Sequence, residues 1–280
     1  MRKYSFAGGS AVVTGAASGI GEALAAQLAA RGSNLVLVDR DEPRLTLVAE
    51  RLRAAHQGLR ITTHVADLAD EKQTDALAAT LAAEHPETTL LVNNAGVALG
   101  GRFDQVTLEE FDWVMAVNFR SVVRLTHALL PALKAHPGSH VVNVSSVFGI
   151  FAPAGQAAYS ASKFAVRGFS EALRHELADN RVGVTVVHPG GIKTRIAESA
   201  RTGSGVSIEE YEQGRKQFAK LLTMPPEAAA AQIMTAIERR RPRLLIGWSA
   251  TVPDVLVRLL PGSYWKLIAR GAGTPAPRAT

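Results

Sequence analysis

Thr14-Gly15-Ala16-Ala17-Ser18-Gly19-Ile20-Gly21 ends a short apolar run, Ala11–Thr14, and leads into an Ala/Leu-rich segment of helical period over about residues 19–31. A strand that turns through three glycines into a helix opens a βα unit. Gly15 suits the tight turn, Gly19 lets a pyrophosphate approach the backbone, and Gly21 permits close helix–sheet packing, with the phosphates meeting the helix N-terminus. The spacing is G-x-x-x-G-x-G, unlike the common G-x-G-x-x-G.

Outward from this turn the same alternation continues to about residue 246. The strand candidates are Ala11–Thr14, Asn34–Asp39, Arg60–Val65, Leu90–Asn93, His140–Val144, Val182–His188 and Leu244–Ile246. They are nearly continuous apolar runs, as strands covered by helices on both faces should be. Helices are expected at about 19–31, 41–57, 70–85, 107–136, 157–179 and 226–240. In the fifth of these, Ala165, Val166, Phe169, Ala172, Leu173 and Leu177 form one core-facing stripe. The fold class is therefore α/β: a doubly wound parallel sheet, Rossmann-like, in three α/β/α layers and one domain. No linker or repeat breaks the series. Residues 1–250 form the expected dinucleotide-binding catalytic domain. Its stretch at about 190–224 exceeds ordinary connection lengths and reads as a substrate lid with a short helix around Ile208–Leu222. Residues 251–280 are a C-terminal extension whose end, after Gly271, looks frayed.

The 280 residues are 47% hydrophobic and 20% charged, which rules out disordered and collagen-like chains, and the absence of cysteine rules out thiol chemistry and zinc–thiolate sites. No 18 apolar residues run together, so no spanning helix is expected. Met1-Arg2-Lys3 resembles the start of a signal peptide, but Tyr4, Ser5 and Gly8-Gly9 interrupt any apolar stretch, so a cytoplasmic location is expected. The net charge of +6 is uneven: residues 1–190 hold 17 Lys/Arg against 18 Asp/Glu, and residues 191–280 hold 14 against 7. The Arg239-Arg240-Arg241-Pro242-Arg243 cluster sits at a helix end, where cations suit the macrodipole, so the basic third reads as solvated surface. No nucleic-acid module accompanies it.

Asp39 ends the second strand, 20 residues past Gly19. A carboxylate there can accept hydrogen bonds from an adenosine ribose and repel a 2′-phosphate, which favours NAD; the guanidinium of neighbouring Arg40 can instead pair with the 2′-phosphate of NADP.

Over about residues 8–250 the chain resembles the short-chain dehydrogenase/reductases. Thr14-Gly15-xxx-Gly19-Ile20-Gly21 is similar to their cofactor loop, in which Ser18 also lies, and Asp67-Leu68 to their adenine-contacting pair. Asn93-Asn94-Ala95-Gly96 follows the fourth strand as in that family, and Asn118 lies in the next helix. Ser146, Tyr159 and Lys163 reproduce the catalytic spacing, and Pro189-Gly190-Gly191-Ile192-Lys193-Thr194 resembles the nicotinamide-side segment. The resemblance implies reversible hydride transfer between NAD(P) and an alcohol or carbonyl, in a homodimer or homotetramer. It also implies that Asn118 supports a water relay to Lys163, that Lys163 contacts the nicotinamide ribose, and that Thr194 meets the carboxamide.

Tyr159 and Lys163 stand four apart on a helix and share a face. A phenol with a pKa near 10 is a poor base at neutral pH, and bringing it to about 7 or 8 takes roughly 3–4 kcal/mol. A neighbouring ammonium and a positive nicotinamide supply that in the expected mechanism, with Tyr159 as general acid/base. Ser146 can donate to the substrate oxygen, whereas alternation turns Ser145 to the other side. The similar pair Tyr211 and Arg215 fails because Arg stays protonated and no suitably spaced Ser or Asn accompanies it. His136 and His140 have metal-like spacing, but Pro137-Gly138 breaks any common helix face, so no metal is expected. Ser146 lacks the G-x-S-x-G elbow of a hydrolase nucleophile.

Val97, Leu99, Phe103, Val147, Phe148, Ile150 and Phe151 follow the fourth and fifth strands, where open α/β sheets bind ligands. Such an apolar wall suits a lipophilic secondary alcohol or ketone. The segment Val252–Ala269 mixes Leu259, Leu260 and Trp265 with Arg258 and Lys266; covering the pocket, packing on another subunit and weak membrane-surface contact all stay open for it. The alternative to an enzyme is a catalytically inactive dinucleotide-binding regulator or scaffold, against which the joint presence of Ser146, Tyr159, Lys163 and Asn118 argues.

Overall fold

Each of the seven apolar runs is a strand in the computed structural model, which describes residues 2–196, 199–265 and 267. In chain order β1 (Ser10–Thr14), α1 (Gly19–Ala30), β2 (Asn34–Asp39), α2 (Glu42–Ala55), β3 (Ile61–Val65), α3 (Glu71–Glu84) and β4 (Thr88–Asn93) make the first half. Then come β5 (Leu99–Gly100), α4 (Leu108–Met115), α5 (Ser121–Ala135), β6 (His140–Val144), α6 (Ala157–Glu176) and β7 (Gly183–Pro189). The chain continues through β8 (Arg201–Thr202), α7 (Ile208–Leu221), α8 (Pro226–Glu238), β9 (Arg243–Ile246) and α9 (Trp248–Leu259).

The main sheet is all parallel in the order β3-β2-β1-β4-β6-β7-β9. Every residue of β1, β6 and β7 is buried, whereas β3, an edge strand, alternates. One core layer packs α1, α2 and α8 on the sheet through Leu24, Leu28, Leu45, Ile233 and Ile237; the other packs α3, α5 and α6 through Leu81, Leu125, Leu129 and Leu173. The strand order reverses between β1 and β4, which opens a crevice beyond their C-terminal ends. Side-chain caps fix where the flanking helices begin: Asp41 accepts from Arg44 N, and Asp70 from Lys72 N and Gln73 N. Among the described residues no helix is long and apolar enough to cross a membrane.

The single helix expected over 107–136 is instead α4 and α5 joined by a π-helical turn at Ala116–Arg120. The extra residue in such a turn changes which side chains face inward, and no Gly or Pro in Ala116–Arg120 announces it. The expected lid contains α7, and its β8 pairs in parallel with β5. Glu210 of α7 accepts from Arg102 (3.1 Å) and Gln105 (3.0 Å), and the Arg201 guanidinium lies 4.0 Å from the centroid of the Trp113 ring. The expected boundary at residue 250 falls inside α9. Asp254 on that helix is tied to Arg243 on β9 by two hydrogen bonds of 3.0 and 2.5 Å, so α9 packs as part of the sheet's end layer. Of the C-terminal extension, Lys266 and residues 268–280, with the end expected to fray, lie outside the described residues.

Candidate active site

The glycine turn has the shape its spacing requires. Gly15 and Gly19 adopt φ of +68° and +59°, in the left-handed region that favours glycine. Gly21 departs from its expected role. A Cβ there would overlap the Gly15 carbonyl oxygen and stand 2.6 Å from Asn94 Nδ2, so its close approach is to the turn itself. Ser18 takes the N-cap position of α1 in an extended conformation but makes no side-chain cap bond, leaving first-turn N–H groups for an anion. Ile20 is buried beneath.

Around this turn the other expected cofactor residues gather. Asn94 Nδ2 donates to the carbonyls of Thr14 (2.9 Å) and Gly15 (3.2 Å), and Thr14 Oγ1 accepts from Asn94 N and Ala95 N, both at 3.0 Å. Thr14 is a residue the sequence reading used only as part of a motif. Asp39 accepts from Ala17 N (3.0 Å) and Asp41 N (3.1 Å), which orients its half-buried carboxylate at the end of β2. Arg40 is exposed beside it. Asp67 Oδ1 accepts from Ala69 N at 3.0 Å, and Leu68 is buried. From the other side, Pro189 closes β7 and Gly190 packs against Ser249, while Ile192 bridges to Met224. Thr194 lies over the turn, where a Cβ on Gly19 would come within 3.2 Å of it. The crevice thus offers open helix N–H groups, a carboxylate for a ribose and a backbone without side chains in the way, which is the donor set a dinucleotide needs.

Beside this crevice the expected catalytic residues meet. Ser146 follows β6, and its Oγ accepts from Phe148 N at 3.1 Å, so its own hydrogen remains available to donate. The Tyr159 hydroxyl lies near enough to Ser146 to feel it electrostatically. Burial pushes the Tyr159 phenol up from its ordinary value, and Ser146 opposes that rise. Lys163 is fully buried, and desolvation lowers its pKa to about 8. Its Nζ donates to Val144 O at 3.0 Å and stands 5.7 Å from the centroid of the Tyr159 ring. Ser145 does point away: its Oγ donates to Lys163 O at 2.8 Å and holds α6 against β6.

Asn118, inside the π-helical turn, clamps the backbone of Val97 by accepting from its N (2.8 Å) and donating to its O (3.0 Å), and also donates to Ser162 Oγ (3.0 Å). Ser162 and His188 carry structural roles that sequence reading missed. His188 Nδ1 lies 2.9 Å from Ser146 O, and burial lowers its pKa to about 4, so the ring is neutral and donates to that carbonyl. Their only signal was position, one residue before Lys163 and one before Pro189. His136 and His140 are engaged separately, with Ala132 O and with Thr185 Oγ1.

The expected apolar wall divides. Val97 and Leu99 join a small core with Val114, Val117 and Ala158, and Phe103 is exposed against Phe111. Phe148 packs edge-on to both Tyr159 (6.0 Å between centroids) and Phe151 (5.3 Å), and Phe151 to Tyr264 (6.5 Å). This contact brings the start of the C-terminal extension over the loop after β6.

Comparison with known proteins agrees with this geometry. The sequence pattern of the short chain dehydrogenase family matches residues 10–205. A Mycobacterium tuberculosis protein named as an oxidoreductase, SadH, is 38% identical over 278 residues, covering 98% of this chain and 99% of its own. The structure of a short chain dehydrogenase/reductase from Burkholderia phymatum in complex with NAD superposes with a TM-score of 0.79 at 27% identity, over 99% of this chain and 100% of that one. A short-chain dehydrogenase from Sphingobium yanoikuyae in complex with NADPH gives 0.75 at 28% identity, over 97% and 98%. With that family's pattern matched over residues 10–205 and a relative 38% identical across nearly the whole chain, the chain belongs to the short-chain dehydrogenase/reductase family.

Proposed function

We propose that the protein is an NAD(P)-dependent oxidoreductase that interconverts a lipophilic secondary alcohol and its ketone, with Tyr159 as the general acid/base. A bound nicotinamide supplies the hydride acceptor for the carbinol carbon, or the donor in the reverse direction. Tyr159 removes the proton from the alcohol oxygen during oxidation and returns one during reduction. Ser146 donates a hydrogen bond to that oxygen, Lys163 faces the ribose across Gly96, and Asn118 holds the loop at Val97 between them. Gly15, Ser18, Gly19, Ile20 and Gly21 take the pyrophosphate side of the cofactor. Asp39, Asp67 and Leu68 take the adenosine, with Asn94, Ala95 and Gly96 along its length and Pro189, Gly190, Ile192 and Thr194 on the nicotinamide side. The Asp39 carboxylate favours NAD, and Arg40 keeps NADP as the second cofactor.

The observation that carries this reading is the Tyr159 ring edge-on to Phe148, itself packed on Phe151, which sets a proton-transfer group beside apolar side chains. A homodimer or homotetramer is the assembly that the family likeness implies. The test is a turnover screen of lipophilic alcohols and ketones with NAD(H) and NADP(H), read at the reduced-nicotinamide band, on the wild type and Tyr159→Phe. The variant is expected to lose turnover by about 10³-fold, within the range for a general acid/base, while binding the cofactor within a few-fold of wild type. Near-wild-type turnover in Tyr159→Phe overturns the acid/base role. Tight cofactor binding by a wild type that turns over nothing on the panel supports the regulator instead.

A further inference from the structure

Away from the catalytic cluster, at the sheet edge formed by β3, two histidines that no motif joins in the sequence come together. His64 on β3 and His85, which caps the C-terminal end of α3, place their Nε2 atoms 3.3 Å apart, with ring planes 89° to one another. The Glu84 carboxylate lies beside them, all three ligand atoms being within 4.8 Å of one another. We propose that His64, His85 and Glu84 bind one divalent transition-metal ion of the zinc class, which ties β3 to the end of α3.

The 3.3 Å between the imidazole nitrogens is long for a hydrogen bond and fits two nitrogens held by one ion. An N–H donor normally reaches its acceptor at about 2.7–3.2 Å, whereas two nitrogens on a tetrahedral ion with bonds of about 2.0–2.1 Å stand about 3.3 Å apart. What lies behind His85 points the same way. Its Nδ1 is buried without a hydrogen-bond partner, and the nearest carboxylate oxygen, on Glu87, is 3.7 Å away. Glu87 is itself paired with Arg60. A carboxylate on that side favours the proton on Nδ1 and leaves the Nε2 lone pair free as a ligand, the arrangement found behind metal-bound histidines. Glu84 is exposed and free to swing onto the ion, and water takes the fourth position. The expectation of no metal rested on His136 and His140. His64 and His85 escape such a reading because they lie 21 residues apart on different elements.

The test uses the full chain without a histidine tag. Zn²⁺ is titrated in competition with a chromophoric chelator, and Co²⁺ serves as a visible-absorbance probe of coordination. The variants are His64→Gln and Glu84→Gln, at half-buried and exposed positions that leave the core intact. Wild type is expected to bind one ion per chain and to gain several degrees in its unfolding midpoint at saturating Zn²⁺. His64→Gln should weaken binding at least about 10-fold and abolish that gain, and Glu84→Gln should weaken it several-fold. The proposal is overturned if wild type binds no more tightly than His64→Gln, or if both variants keep wild-type affinity, which would place the ion on other surface histidines.

Discussion

Replacing Lys163 by Met tests whether the buried ammonium is held at the expense of the fold. Desolvation takes its pKa from 10.5 to about 8. At ~1.4 kcal/mol per pH unit this is a penalty of about 3 kcal/mol. Below pH 8 the folded and unfolded chains both carry the proton, and the whole penalty is present. As pH rises from 8 to 10.5 the folded chain releases a proton that the unfolded chain keeps, so stability climbs. Met has similar bulk and no charge. It also loses the 3.0 Å bond to Val144 O, whose removal costs about 1–2 kcal/mol. The cofactor-free variant should therefore be more stable than wild type by about 1–2 kcal/mol at pH 7. By pH 9.5 about 2 kcal/mol of the wild-type penalty has gone, and the two should unfold at nearly the same denaturant concentration. Urea unfolding of both proteins at the two pH values measures this, since other titrating groups cancel in the difference. A variant less stable at pH 7, or a difference that stays flat between pH 7 and 9.5, refutes the reasoning. Turnover should be lost in the variant at both pH values, so stability and activity move in opposite directions at this one residue.

Two further substitutions test the crevice and the end layer. Gly21→Ala puts a methyl group against the Gly15 carbonyl and 2.6 Å from Asn94 Nδ2. It should weaken NADH binding at least ~10-fold, by fluorescence titration, and destabilise the fold by about 1–3 kcal/mol; unchanged binding would show that the turn has room to move. Asp254→Ala removes the carboxylate bonded to Arg243 at the junction of β9 and α9 and should cost about 3 kcal/mol, less in an Arg243→Met background. Burial raises the pKa of Asp254, but Arg243 and then Arg258 more than offset it and hold the carboxyl below its ordinary value. The contribution is therefore present above the usual carboxylate range and lost as pH falls through the depressed value. A wild-type-minus-variant stability that does not shrink on acidification would contradict the pairing.

The inner sheet strands were legible because burial on both faces demands runs rich in Val, Leu and Ile, and β1, β6 and β7 have no exposed residue at all, whereas the edge strands β3 and β9 alternate. Helix α7 was legible for a local reason as well: Ser207 and Glu210 make a capping box at its start. Features fixed by tertiary packing were not. The two-residue strands β5 and β8 pair only because distant parts of the chain fold together, and the turn at Ala116–Arg120 depends on Asn118 finding the Val97 backbone. Tyr159 shows most clearly where spacing stops informing. Four residues on a helix guarantee that two side chains share a face, but not where the charge at the end of a long one goes. Lys163 turns its ammonium to the Val144 carbonyl, so the phenol feels burial more than it feels the cation. Positive charge brought into the crevice that the glycine turn keeps open would lower that phenol.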